Sequence, residues 1–178
     1  MTVMLNGREM SFLLRPRTLF AAVFIACLGV LGFALYLQHG EVLEPCPMCI
    51  LQRYAFSLIG LIAAIGAIHN PRRMGTMAYS ALLFVAAVTG GGISMRHSWL
   101  QRFPTKSFSC GADLEYLLNT FPLGKALPAI FEGTGECSRV QWRLLGLSVP
   151  EWALVWFAIF AIVAVVVFLR ARRAPRLP

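Results

Sequence analysis

Charge is scarce in this chain. Aspartate and glutamate together number eight in 178 residues, charged residues of both signs make up 13 %, and hydrophobic residues reach 58 %. A soluble globular domain carries about 25 % charged and about 45–50 % apolar residues, so this deficit, joined to a positive mean hydropathy, excludes the soluble class. Residues 18–37 contain no charge at all, and the connection 38–45 contains no lysine or arginine. No nucleic-acid-binding module stands between the arginines. The net charge of +8 is therefore read as membrane topology and not as a surface for nucleic acid.

What is present is a set of four apolar stretches, at about residues 18–37, 49–68, 76–95 and 152–169. About twenty helical residues at ~1.5 Å each cover the ~30 Å hydrocarbon core of a bilayer. A signal peptide has an apolar region of only about 7–15 residues, so the first stretch is expected to be a retained helix. Cys27 inside it reads as a small buried side chain. Ser57, Gly60, Ala64 and Ala67 make a small-residue stripe on the second stretch, suited to close helix packing. Gly90-Gly91-Gly92 is expected to interrupt the third, for close packing or for a flat ligand.

The fold class expected is an all-α membrane protein. Residues 1–178 form a single domain, a four-transmembrane-helix bundle with connections 38–48 and 96–151 on one side. The second connection is too long to be plain. Leu114, Leu117, Leu118 and Phe121 recur at i, i+3, i+4 and i+7, which predicts a short amphipathic helix lying on the membrane surface. Ser148-Val149-Pro150-Glu151 has the capping-box pattern that opens the fourth span. Trp99, Trp142 and Trp152 suit the interface on that side.

Charge asymmetry sets the orientation. The N-terminal segment, the 69–75 turn and the tail from 170 hold nine arginines and one acid, Glu9, whereas the other side holds six basic and seven acidic residues. By the positive-inside rule both termini face the cytoplasm. Four of the five cysteines, Cys46, Cys49, Cys110 and Cys137, then lie outside, where disulfides persist.

The chemistry concentrates in Glu44-Pro45-Cys46-Pro47-Met48-Cys49-Ile50-Leu51-Gln52-Arg53. A residue before proline leaves the α region and proline suits the first helical position, so a helix is expected from about Pro47 with Cys46 near its N-cap. A sulfur there sees the positive end of the helix dipole, which lowers thiol pKa values and favours thiol–disulfide exchange. Arg53 falls four residues after Cys49, on the same helix face. It either snorkels to the headgroups or serves the cysteines one turn away.

These residues resemble the DsbB family of bacterial inner-membrane proteins. The likeness rests on Gln38-His39, on Pro45-Cys46-Pro47-Met48-Cys49-Ile50 with Arg53, on Cys110, and on Gly135-Glu136-Cys137 followed by Gln141-Trp142 and Leu145-Gly146-Leu147. The resemblance implies a disulfide oxidoreductase in which Cys110 and Cys137 form the disulfide attacked by a reduced DsbA-like periplasmic thiol oxidase. Electrons then pass to Cys46 and Cys49 and on to a membrane quinone near Arg53 and His97. A strong oxidant such as DsbA, near about −120 mV, needs an acceptor more oxidising than cellular thiol pools. The resemblance leaves ubiquinone and menaquinone as alternatives for it. Departures from the family's commonest pattern are Pro47-Met48 between the cysteines, Arg96 beside His97, and the extra Cys27.

Rival readings make the four outer cysteines a zinc site or two inert structural disulfides in a tetraspan protein without redox turnover. Pro-Cys-Pro at a helix start is poorly shaped for a compact structural zinc site, so no metal is expected. An enzyme like vitamin-K-epoxide reductase would share the chemistry but not the pattern of the long connection. His39 reads as structural.

Overall fold

The computed structural model describes residues 15–40, 45–103, 135–138, 140 and 142–173. Its long helices are α1 (Pro16–Gly40), α2 (Pro47–His69) and α3 (Arg73–Arg102), followed by a single-turn α4 (Gly135–Ser138), strands β1 (Arg143–Leu144) and β2 (Leu147–Ser148), and α5 (Val149–Arg173). Four of these helices, α1, α2, α3 and α5, are long and apolar enough to cross a membrane. Ile25, Ile68, Val85 and Ile162 point outward, each more than 60 % exposed. Such a surface suits lipid.

Each helix outruns its apolar stretch, because hydropathy marks only the part in contact with lipid whereas the hydrogen-bond ladder continues to the next stop signal. Asn70, with φ 42° and ψ 56°, ends α2 by donating its N–H to the Gly66 carbonyl. That left-handed cap is followed by Pro71, which cannot extend the helix. At the other end α3 runs past residue 95 to Arg102, one residue short of the position before Pro104, where helical geometry is disfavoured. Residues 96–102 are thus helical rather than part of a loop, and residues 38–40 belong to α1. The expected break at Gly90-Gly91-Gly92 is absent, since α3 is continuous through it.

The interior is built from close approach, since lipid is as apolar as the side chains and packing decides helix association. Phe56 and Phe157 stack with centroids 4.2 Å apart and Phe160 meets Phe56 edge-on. A Cβ on Gly90 would lie 2.4 Å from the Phe157 ring, so this glycine sets the spacing of α3 and α5. Gly92 has open space around it. A Cβ on Gly60 would lie 3.3 Å from the Cys27 Cβ, and Cys27 is a buried thiol of the core. Of the α2 stripe, Gly60 is buried, Ala64 and Ala67 are partly covered, and Ser57 is exposed. Gly90→Val is expected to cost about 1–3 kcal/mol by overpacking, read as a lowered melting temperature in detergent, with Gly92→Ala as the neutral comparison.

Two local devices tie the chain at the end of the bundle that carries the cysteines. Ser148 donates its backbone N–H to Glu151 Oε2 at 2.8 Å, as the capping pattern predicts, and its hydroxyl donates to the same oxygen at 3.1 Å. Glu151 also receives Arg102 from α3 at 2.6 Å. Leu145 and Gly146, both with positive φ, turn β1 back on β2, with Arg143 opposite Ser148 and Leu144 opposite Leu147. This is a two-residue hairpin of the kind that positive φ at both positions produces. It falls within what the sequence presented as loop. Trp152 Nε1 donates to the Leu144 carbonyl at 3.0 Å and Trp142 packs edge-on against Phe33, so the hairpin is fastened to α5 and α1. At the opposite end Arg73 donates to the carbonyls of Ala171 and Arg172, satisfying the free carbonyls at the end of α5. The expected amphipathic helix at 114–121 lies outside the described residues.

Candidate active site at the start of the second helix

Cys46 is the N-cap of α2 and Pro47 its first residue, as the Pro-Cys-Pro sequence requires. The Cys46 backbone is extended, with φ −67° and ψ 161°, and its sulfur accepts the Cys49 N–H at 3.4 Å. The same sulfur donates to Cys49 Sγ at 3.0 Å. Cys46 is buried, whereas Cys49 is partly open.

The chain returns to this point at α4, which packs on α3 and α2. Cys46, Met48, Leu100 and Cys137 form a small buried cluster of their own. Hydrogen bonds to Cys137 and to Cys49, and then burial, hold the Cys46 thiol well above the ordinary cysteine range. This corrects the expectation that the helix dipole lowers it. The dipole acts on a sulfur that is out of water and keeps its proton by sharing it with Cys49.

His97 lies on α3, not in a loop, and is only 1 % exposed. Its Nε2 is 3.6 Å from Cys46 Sγ, its Nδ1 is 3.4 Å from Gln52 Nε2, and the ring also meets the Cys137 backbone. An amide N–H donated to Nδ1 places the imidazole proton on Nε2, facing the Cys46 sulfur. Gln52, 4 % exposed, is a site residue to which the sequence reading gave no role. A glutamine within an apolar span, three residues from Cys49, is itself the signal that could have found it.

Arg53 does not run out to solvent. Its guanidinium is held by Gln38 Oε1 and, at 3.1 Å, by the Ala34 carbonyl, both on α1. It also acts electrostatically on Cys49. Because α1 and α5 barely touch, a cavity of about 480 Å³ opens between them. Phe33, Trp142, Trp152 and Trp156 give it aromatic walls, and Cys46, Cys49, Gln52, Arg53 and His97 converge at its polar end. Volume and lining are those of a site for a small organic ligand with a few fixed polar contacts.

Five of the six predicted site residues, Cys46, Cys49, Cys137, Arg53 and His97, are therefore brought together, and Cys110 lies outside the described residues. His39 is exposed and bonded to the Leu35 carbonyl at 3.0 Å. The Sγ atoms of Cys46 and Cys137 and a ring nitrogen of His97 all lie within 4.8 Å of one another.

Relatives match this chain over most of its length and of their own. The sequence model of the family described as Disulfide bond formation protein DsbB matches residues 16–167. A protein of Aromatoleum aromaticum named Disulfide bond formation protein B is 49 % identical over 162 residues, covering 91 % of this chain and 98 % of the relative. One of the same name from Azoarcus sp. is 49 % identical over 148 residues, covering 83 % and 89 %. Another from Hahella chejuensis is 44 % identical over 161 residues, covering 90 % and 98 %. With four helices able to span a membrane and thiols gathered at one end of them, the chain belongs to the DsbB family of disulfide bond formation proteins and is a multi-pass membrane protein.

Proposed function

We propose that this protein reoxidises a DsbA-like periplasmic thiol oxidase and delivers the electrons to a membrane quinone, with both termini cytoplasmic in a bacterial inner membrane. The observation that carries the reading is the placement of Cys49: its sulfur is 3.0 Å from Cys46 on one side and lines the aromatic cavity on the other. A thiolate of the partner attacks Cys110 of the Cys110–Cys137 disulfide, and Cys137 leaves as a thiolate. Cys137 attacks Cys46, the buried sulfur beside it, breaking the Cys46–Cys49 bond and releasing Cys49 as the thiolate. The partner's second cysteine resolves its bond to Cys110, and the partner departs oxidised. Cys110 closes the relay by taking back Cys137, which leaves the two electrons on the Cys46, Cys49 pair. Two electrons and two protons leave per disulfide made.

The residues around the cavity fit a flat ring with two carbonyl groups, since aromatic side chains line it and Arg53 and Gln52 offer donors, with His97 among the lining residues. A quinone bound there would supply a two-electron acceptor more oxidising than the partner. Arg53, held by α1, keeps a fixed positive charge at that end. His97, oriented by Gln52, is placed to hold a proton at Nε2 beside Cys46. Trp142 and Trp152 add apolar ring surface to the cavity wall. The test is the purified protein in lipid with a reduced DsbA-type thiol oxidase, thiols being trapped over time with ubiquinone, with menaquinone and with neither. Catalytic oxidation only with a quinone is expected; oxidation at the same anaerobic rate without one would refute the acceptor.

A further inference from the structure

Two sulfurs and an imidazole, those of Cys46, Cys137 and His97, lie within 4.8 Å of one another, and Cys49 Sγ is 3.0 Å from Cys46 Sγ. We infer that the reduced protein has a thiophilic metal site, in which Cys46, Cys137 and His97 bind a zinc-class d¹⁰ cation with Cys49 as the fourth ligand. With Zn–S near 2.3 Å and Zn–N near 2.0–2.1 Å, tetrahedral geometry sets neighbouring S and N ligands about 3.6 Å apart and two sulfurs about 3.8 Å apart. Cys46 Sγ to His97 Nε2 is 3.6 Å, and the Cys46, His97 and Cys137 ligand atoms lie within 4.8 Å of one another, all three residues buried. Cys49 Sγ, at 3.0 Å from Cys46 Sγ, joins by moving outward by about 0.8 Å. Coordination through Nε2 puts the ring proton on Nδ1, where Gln52, turned to present its carbonyl, becomes the outer partner such histidines need. Three thiolates and a divalent cation leave one negative charge, and Arg53 already acts electrostatically on Cys49.

Binding consumes no oxidant. Each thiol that ligates gives up its proton to solvent, and the cation is released when sulfurs join in a disulfide, which leaves them poor ligands. The site thus exists only in the reduced protein, and an occupying cation holds it there. The experiment uses the full chain in detergent micelles, reduced by a phosphine that is then removed under nitrogen, and titrated with Co²⁺ and with Zn²⁺ against a chromophoric chelator. One equivalent should bind, with tetrahedral Co²⁺ bands and sulfur-to-metal charge transfer. His97→Ala and Cys137→Ser should each weaken Zn²⁺ binding at least about tenfold, and Cys27→Ser should leave it unchanged. Failure of the reduced wild type to bind, or binding by His97→Ala and Cys137→Ser as tight as wild type, would overturn the inference. So would equal binding by the oxidised wild type, a comparison that needs no variant to fold. Because the readout is equilibrium binding without partner or quinone, it stands or falls separately from the acceptor reading.

Discussion

Cys137→Ser is expected to abolish quinone-dependent oxidation of the partner while leaving the bundle folded and the cavity intact. Sulfurs that act in series are not additive: losing the crossing point costs as much as losing the whole relay. The substitution removes the one sulfur that both leaves Cys110 and reaches Cys46, so turnover should fall to the uncatalysed background. Cys110 remains as a thiol. A partner lacking its resolving cysteine and activated as a mixed disulfide should then be captured on Cys110, and thermal unfolding should stay within a few degrees of wild type. Residual turnover above one-tenth would show a route from partner to Cys46 that does not use Cys137.

Arg53→Gln should be the next most damaging change, and its effect should fall on the acceptor alone. Removing one preorganised donor or charge from a site of developing negative charge costs about 10²–10³ in rate. Here that loss is expected at the dependence of turnover on quinone, with capture of the partner at Cys110 unchanged. Arg53 also joins α2 to α1 through Gln38 and the Ala34 carbonyl, so a Gln38→Leu protein separates the two roles. It loosens the tie and keeps the charge, and it should lose far less. If Arg53→Gln left the quinone dependence unchanged, the arginine would be a helix tie and nothing more.

The spans were legible because their apolar runs of about twenty residues, three without charge and the second with Arg53 alone, match the thickness of a bilayer, and the start of α2 because proline on both sides of Cys46 leaves the backbone one choice. The far ends were not. Residues 96–102 are polar enough to pass for loop, yet nothing in Arg96-His97-Ser98-Trp99 stops a helix before Pro104, so His97 is carried inward on α3. Its burial depends on α4 folding back over it from nearly forty residues further along the chain, a contact with no local signal. The hairpin was hidden for a different reason. Leu145 sits at a positive φ that asparagine or glycine usually occupies, and only Gly146 marks the turn. The cysteine chemistry could be read from type and spacing, whereas which sulfur is buried could not, because hydrogen bonds to Cys137 and Cys49, and then burial, reverse what the helix dipole alone suggests for Cys46.

In the proposed relay electrons cross from Cys137 to Cys46 and leave through Cys49. Its most direct test is peptide mapping of the quinone-starved protein after mixing with reduced partner and rapid acid quenching, with free thiols blocked before digestion. A disulfide joining the Cys46 and Cys137 peptides, with Cys49 carrying the blocking label, is the result predicted. Partner attached to Cys46 or Cys49, or a disulfide joining Cys49 to Cys137, would contradict it.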